Sequence, residues 1–214
     1  MAGQDLRSRF RDVVTSENEL RAVVGPAQQR ALDKVVRTID GQARAFIARS
    51  PFLFLATRRA DGRIDVTPRG DPPGFVRVLD DATLAIPDRP GNKRIDTFRN
   101  LLADPHIGLI FIVPGITHTL RVHGEAVIVR DPELRESMAE QGKVPDHALV
   151  VGVTEVMSHC PKCMLRAGLW QVDTWPGRDA LPSFAEMLKA HTQMPAPVDD
   201  IQAMIDRASR ETLY

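Results

Sequence analysis

The fold is decided by residues 52–67, which read FLFLATRRADGRIDVT. An apolar run, the turn dipeptide Asp61-Gly62 and a second run of strand-forming residues are typical of a β-hairpin. Two more strand candidates follow at residues 75–79 and 83–86, joined by the turn Asp80-Asp81. Links this short predict antiparallel pairing, because a parallel crossover needs about a dozen residues or more.

The segments further along continue this pattern with one helix inserted. Asn92 caps a predicted helix over residues 93–103, which ends before Asp104-Pro105. Three further strand candidates lie at residues 107–113, 117–129 and 148–157. Between the last two, Asp131-Pro132 opens a predicted helix over residues 132–141. About seven strands with one inserted helix predict a closed antiparallel barrel with helices, an α+β fold.

Helical patterns precede the barrel. Ser16 with Glu19 forms a capping box, and apolar residues recur at spacings of three and four over residues 32–47. The second pattern predicts one amphipathic helix, in which Gly41 allows a kink or an early stop.

The tail is also predicted to be helical. Ser183 with Glu186 forms another capping box, and Pro195-Ala196-Pro197 separates that helix from one over residues 201–210. The length of 214 residues fits one domain with appendages. We expect a single domain over residues 1–214, divided into N-terminal helices (1–50), a barrel (51–158) and a closing motif with C-terminal helices (159–214).

Composition limits the classes of function. Lys and Arg number 28 against 28 Asp and Glu, so no net charge attracts nucleic acid or an anionic membrane. The apolar runs are far shorter than the roughly 20 residues of a membrane span, and the N-terminal residues lack the apolar core of a secretory signal. We expect a cytoplasmic protein with no nucleic-acid partner and no membrane partner.

The two cysteines, Cys160 and Cys163, lie beside His159. Together these residues offer three metal ligands, whereas a structural zinc site needs four. A thioredoxin-like motif would follow a βαβ pattern, which is absent from the sequence. We therefore expect no metal, no structural disulfide, and thiols that are buried or idle.

Basic residues are concentrated between the fourth strand candidate and the helix that follows. Residues 89–99 contain four basic side chains against the one acid Asp96. In the predicted helix Lys93 and Arg94 lie in the first turn, where the helix dipole disfavours cations unless an anion is bound. A phosphate group there would satisfy both cations. The alternative is that both side chains point into water, at a cost of about a few tenths of a kcal/mol.

An ordered series of short motifs within residues 51–130 resembles the pyridoxamine 5'-phosphate oxidase-like, flavin-binding split-barrel family. The motifs of the series occupy residues 52–57, 65–71, 84–87, 91–94, 101, 104–105, 107–111 and 120–126. The resemblance implies an antiparallel split β-barrel, an FMN cofactor, and a homodimer with the flavin at its interface.

The resemblance also implies where the flavin would bind. The family's basic pair at the start of the helix corresponds to Lys93 and Arg94, in agreement with the dipole argument. Arg69, on the second strand, would reach the phosphate or the ribityl chain. Backbone groups near Ile86 and Pro87 would line the isoalloxazine ring.

The resemblance implies that residues later in the chain complete the flavin site. Thr119 corresponds to a polar contact that the family often takes from the partner subunit. Residues 160–170 resemble the closing motif of one subgroup, in which Lys162 and Arg166 face an anionic ligand and Trp170 covers the flavin ring. The alternative is that Trp170 is ordinary core or interface and that Lys162 is solvated.

The sequence departs from the family at two points. The basic pair is ordered Lys-Arg, where the family has Arg-Lys. The only tyrosine is Tyr214, so no phenol comes from the fourth strand.

The implied function is that of an FMN-dependent oxidoreductase acting on a small-molecule substrate. No catalytic side chain is assigned, because the cofactor itself carries the redox chemistry. Motifs of serine hydrolases, P-loop proteins, zinc proteases and dinucleotide-binding proteins are absent from the sequence. The alternatives are a non-catalytic flavin- or haem-binding protein and a deazaflavin-dependent reductase, which has the same barrel.

Overall fold

The computed structural model describes residues 6–214, which form two compact units, one ending at Val35 and one running from Val36 to Tyr214. The first unit contains a 3-10 helix Leu6–Arg9 and the helices α1 Glu17–Val24 and α2 Gln29–Asp33. The predicted cap of α1 is confirmed, because the Ser16 hydroxyl accepts a hydrogen bond from the Glu19 backbone N–H at 3.3 Å.

The second unit contains the sheet and six helices. A two-residue strand, β1 Val35–Val36, lies at the junction of the two units. The other strands are β2 Phe52–Arg58, β3 Ile64–Gly70, β4 Arg77–Val78, β5 Thr83–Pro87, β6 His106–Ile112, β7 Thr119–Val129 and β8 Ala148–His159. The helices are α3 Gly41–Arg49, α4 Asp96–Ala103, α5 Pro132–Ser137, α6 Lys162–Ala167, α7 Phe184–Thr192 and α8 Val198–Glu211. Two 3-10 helices, Val172–Thr174 and Arg178–Ala180, lie between α6 and α7.

The strands form one antiparallel sheet in the order β3-β2-β6-β7-β8-β5-β4. The predicted α+β architecture is therefore confirmed. Within the described residues the two end strands of this order, β3 and β4, do not pair with each other. The sheet is a split barrel, as the resemblance implies, and the closed barrel expected from strand number alone is wrong.

The core lies between the inward side chains of the strands and helix α3. Alternate residues of each strand point inward, and Leu53, Leu55, Phe111 and Val122 are fully buried. Helix α3 adds the buried Ile47 to the same cluster. Burial of each such side chain stabilises the fold by about 1.5–3 kcal/mol.

The single amphipathic helix predicted over residues 32–47 is wrong. Helix α2 ends at Asp33, and α3 begins at Gly41 because the Asp40 carboxylate accepts a hydrogen bond from the Ala43 N–H at 2.7 Å. Leu32 is 54% exposed. Its three-to-four spacing with the residues of α3 therefore does not mark a buried helix face.

Several predicted elements are shorter in the structure. The strand over residues 75–79 is reduced to β4 Arg77–Val78. Helix α5 ends at Ser137, short of the predicted residue 141, and Gln141 and Gly142, with φ of 48° and 75°, belong to a separate turn between Glu140 and Lys143. The two tail helices and the Ser183–Glu186 capping box are confirmed. No helix within residues 6–214 is both long enough and apolar enough to span a membrane.

Candidate functional site

The loop between β5 and α4 differs from the predicted helix start. Helix α4 begins at Asp96 with Ile95 as its N-cap, so Lys93 and Arg94 precede the helix. Asn92 does not cap α4; its Oδ1 accepts a hydrogen bond from the Arg94 N–H at 3.0 Å. The helix-dipole argument for a phosphate is therefore wrong, because neither cation lies in the first turn.

Lys93 and Arg94 differ in their partners. Arg94 Nε donates to one carboxylate oxygen of Asp96 at 2.6 Å, and Arg99 donates to the other at 2.8 Å. The hydrogen bond from Arg94 lowers the pKa of Asp96, which stays charged. Lys93 is exposed and makes no hydrogen bond or ion pair with any residue that the structure describes. Lys93 is thus the cation of this loop that is available to a ligand.

The loop is strained on both sides of Arg94. Lys93 has φ of 58° and Ile95 has φ of 53°, in the left-handed region. This conformation costs a non-glycine residue about 1–2 kcal/mol, and a β-branched residue such as Ile95 adopts it rarely. Strain of this kind is found disproportionately at ligand sites, where surrounding contacts hold it.

Helix α4 packs on β2 and β3 through a set of polar side chains, here called the α4 polar cluster. Its members are Thr57, Asp65, Arg69, Thr97 and Asn100. Thr57 and Asp65 lie opposite each other on β2 and β3, and the Asn100 amide donates to both, at 3.0 and 3.3 Å. One turn earlier, Arg69 donates to the Thr97 hydroxyl at 3.3 Å. The cluster fixes α4, and the loop before it, to the edge of the split barrel.

Arg69 is the half-buried cation of this cluster. It lies opposite the fully buried Leu53, which places its side chain on the inner face of the sheet. Its one hydrogen-bond partner within residues 6–214 is a neutral hydroxyl, and it forms no ion pair there. Arg69 also acts on Asp88: burial raises the pKa of this carboxyl, and the positive charge of Arg69 partly opposes that rise.

Arg89 anchors the first half of the loop. Its Nε donates to Asp71, the residue after β3, at 2.5 Å, and its Nη2 donates to the Met138 carbonyl at 2.9 Å. The Arg89 and Asp71 side chains are 16% and 2% exposed. Arg89 is consequently a structural cation, whereas Lys93 in the same loop is free.

The strand residues predicted to line the flavin lead directly into this loop. Ile86 and Pro87 end β5 and pair with Leu149 and Ala148 of β8. Both are buried, and Ile86 belongs to the core. As neighbours on a strand their side chains are buried on opposite faces of the sheet, which leaves backbone groups for a ligand.

The remaining predicted residues form a second group elsewhere on the sheet. Thr119 is buried at the start of β7 opposite His159, and Trp170 Nε1 donates to the Ile116 carbonyl at 2.9 Å. Lys162 and Arg166 are exposed, one turn apart on α6. Within the described chain, this group shares no hydrogen bond or ion pair with Arg69 or Lys93.

The cysteines next to this group are both exposed and free. Of the two alternatives expected for the thiols, burial is therefore wrong, and idle thiols stay a prediction.

The sequence analysis missed the polar residues that surround Arg69. The alternation in residues 65–69 was a usable signal, because it places Asp65, Thr67 and Arg69 on one face of a strand. Thr97 and Asn100 had no comparable signal, since their role depends on how α4 packs against the sheet.

Comparison with known proteins agrees with this architecture. The sequence profile described as pyridoxamine 5'-phosphate oxidase matches residues 39–160, from the end of the segment before α3 to the end of β8. No curated protein matches the chain.

Three solved structures illustrate the likeness. HupZ of Group A Streptococcus is 19% identical, with a TM-score of 0.45 over 55% of this chain and 91% of its own. A candidate pyridoxamine 5'-phosphate oxidase from Lactobacillus delbrueckii is 19% identical, with a TM-score of 0.44 over 57% and 99%. A pyridoxamine 5'-phosphate oxidase-related, FMN binding protein from Nostoc punctiforme is 15% identical, with a TM-score of 0.40 over 56% and 83%.

The matched residues include all of β2 to β7, the loop with Lys93 and helix α4. They make up more than half of the 214 residues. The chain belongs to the pyridoxamine 5'-phosphate oxidase family.

Proposed function

We propose that the protein is an FMN-dependent oxidoreductase that acts on a small molecule. The observation that carries the proposal is that Lys93 and Arg69 are cations without a carboxylate partner among the described residues. A half-buried guanidinium is poorly compensated by one hydroxyl, and a phosphate group offers it several charged acceptor oxygens. Membership of the pyridoxamine 5'-phosphate oxidase family supports a flavin phosphate as that anion.

The donors around Arg69 fit a terminal phosphate. Arg69 and the Thr97 hydroxyl offer hydrogen bonds from the inner face, and Lys93 adds a mobile point charge from the loop. Arg94 contributes charge while it remains bound to Asp96. FMN ends in a phosphate monoester, so this set favours FMN over FAD.

The bound flavin would supply the hydride chemistry, and the chain would bind it, orient it and exclude water. Arg69, Lys93 and Arg94 would hold the phosphate end. Backbone groups at Ile86 and Pro87 would border the ring.

A second copy of the chain would complete the site. The outer face of the sheet exposes the apolar side chains of Phe54, Val66 and Ile110, which are 42%, 60% and 37% exposed. Apolar groups clustered on one face favour an interface, here between two identical subunits. In such a homodimer Thr119, Lys162, Arg166 and Trp170 of one subunit would complete the flavin site of the other.

The test begins with the purified protein and mass spectrometry of the ligand that it releases. We expect FMN, and we expect Lys93→Ala with Arg94→Ala to lose it while keeping the circular dichroism of the wild type. Arg207→Ala with Arg210→Ala removes two exposed charges of α8 and is the matched control, which should keep its FMN.

Two results would contradict the proposal. Stoichiometric FMN in the Lys93 and Arg94 double variant would remove the phosphate assignment. Bound flavin whose reoxidation after chemical reduction is the same with and without candidate substrates would favour a non-catalytic flavin-binding protein.

A further inference from the structure

Cys160 and Cys163 lie where strand β8 passes into helix α6. Strand β8 ends at His159 and α6 begins at Lys162, so Cys160 precedes the helix and Cys163 is its second residue. Both thiols are exposed and free. A small molecule in solution can therefore reach either of them.

The backbone between the two cysteines determines how far apart they are. Pro161 has a right-handed helical conformation, with φ of −74° and ψ of −8°, and Lys162 is helical. Two helical residues in the middle of a four-residue segment place its outer Cα atoms about 5 Å apart. A disulfide joins Cα atoms that are about 4.4–6.8 Å apart. The main chain thus already holds the two cysteines at a distance that a disulfide can bridge.

The turn that joins the cysteines is fixed at both ends. The ring of Pro161 restricts its φ, and the Pro161 carbonyl accepts a hydrogen bond from the Leu165 N–H at 3.0 Å. Met164, which follows the second cysteine, is only 8% exposed and anchors α6. A turn held in this way raises the effective concentration of one thiol at the other, because less conformational freedom is lost when they join.

The charge of the segment indicates which class of reagent would meet these thiols. Residues 156–172 contain the basic Lys162 and Arg166 and no Asp or Glu. Both basic side chains are exposed. Opposite charges increase the rate at which a small molecule encounters a site, so this segment favours an anionic reagent.

We infer that Cys160 and Cys163 form a redox-active pair that is oxidised by an anionic low-molecular-weight disulfide, such as oxidised glutathione. The thiolate of one cysteine attacks a sulfur of the small disulfide and releases one molecule of reduced thiol. The thiolate of the other cysteine then attacks the protein sulfur of the mixed disulfide and releases the second molecule. The pair loses two electrons and two protons, which the two released thiols carry.

This inference is the opposite of the idle thiols expected from the sequence, and it does not depend on the proposed flavin site. The test measures the mass of the protein after incubation with oxidised glutathione and acid quenching. The wild type should lose two hydrogens and carry no glutathione. Cys160→Ser and Cys163→Ser each lack the second thiol, so each should keep one bound glutathione.

Three results for the wild-type protein would overturn the inference. The first is a stable mixed disulfide on both cysteines, the second is oxidation only to disulfide-linked dimers, and the third is no reaction.

A substitution in the turn tests whether its conformation pairs the thiols. Pro161→Gly removes the ring that restricts φ, and at a fixed ratio of reduced to oxidised glutathione it should lower the ratio of disulfide to dithiol by about two- to fivefold. Pro195→Gly, in the linker between α7 and α8, is the matched control and should leave that ratio unchanged. The same ratio in Pro161→Gly and the wild type would mean that the turn does not pair the thiols, which overturns the inference.

Salt tests the charge of the reagent. Added salt screens Lys162 and Arg166, so it should slow oxidation by oxidised glutathione and accelerate oxidation by the cationic disulfide cystamine. A rate that changes in the same direction for both reagents overturns the assignment to an anionic disulfide.

Discussion

Lys93 combines a free charge with a strained backbone, and the two properties can be separated by substitution. At φ of 58°, glycine is about 1 kcal/mol more favourable than alanine, because glycine has no Cβ to clash in the left-handed region. Lys93→Gly and Lys93→Ala should weaken FMN binding equally, since both remove the ammonium. Chemical denaturation should find the glycine variant the more stable of the two by about 1 kcal/mol. Equal stabilities would mean that the loop relaxes and stores no strain.

Asp88, the residue after β5, makes the stability of the folded protein depend on pH. Burial raises the pKa of Asp88 in the folded protein, so folding favours the protonated carboxyl group. The ionised carboxylate therefore destabilises the folded state. The destabilisation is absent at pH values below the unfolded pKa and develops as pH rises through the higher folded pKa. Asp88→Asn should therefore raise the melting temperature at pH 7 and change it little at pH 3. A similar shift at both pH values would assign the effect to something other than ionisation.

At the scale of single elements, α4 shows where sequence patterns end. Asn92 has the side chain of a good N-cap and is followed by a plausible helix, yet its carboxamide binds the Arg94 N–H and forms a turn instead. The helix starts at Asp96 because the contacts of Thr97 and Asn100 with β2 and β3 fix its position. Local propensity could not reveal those contacts, because they join residues far apart in the sequence.

The pairing of strand β7 with β8 has one irregularity, and a glycine lies at that point. The register between β7 and β8 shifts between His123 and Gly124, and a Cβ at Gly124 would lie 2.3 Å from the Gly152 carbonyl oxygen. Gly124→Ala should therefore destabilise the protein by about 2–3 kcal/mol, measured by urea denaturation. Gly108→Ala on the neighbouring strand is the control, because its Cβ would meet nothing closer than 3.6 Å. Equal effects of the two variants would mean that the shift in register is not maintained by close backbone approach.

For the whole molecule, the strand order and the site differ in how far the sequence predicts them. Alternating apolar runs and turn dipeptides predicted seven antiparallel strands, and β2 to β8 are found near the expected positions. The split in the barrel was not predictable from strand number, since it depends on β3 and β4 not pairing with each other within the described residues. Asp71 and Tyr214, whose side chains share a hydrogen bond, are 143 residues apart, and no local pattern relates them.

The homodimer proposal predicts complementation between two defective chains. One chain carries Lys93→Ala with Arg94→Ala, and the other carries Arg166→Ala with Trp170→Ala. Each homodimer should lack FMN, because every one of its sites has lost either the phosphate cations or the residues from the opposite subunit.

A mixed dimer has one site with both defects and one site with neither. After subunit exchange at equal concentrations, half of the dimers are mixed, so about one quarter of all sites should regain FMN. Light scattering would follow the dimer and fluorescence would follow the flavin. If mixing restores no flavin although both chains dimerise, each site is built from a single chain, and the segment with Arg166 and Trp170 is ordinary surface and packing.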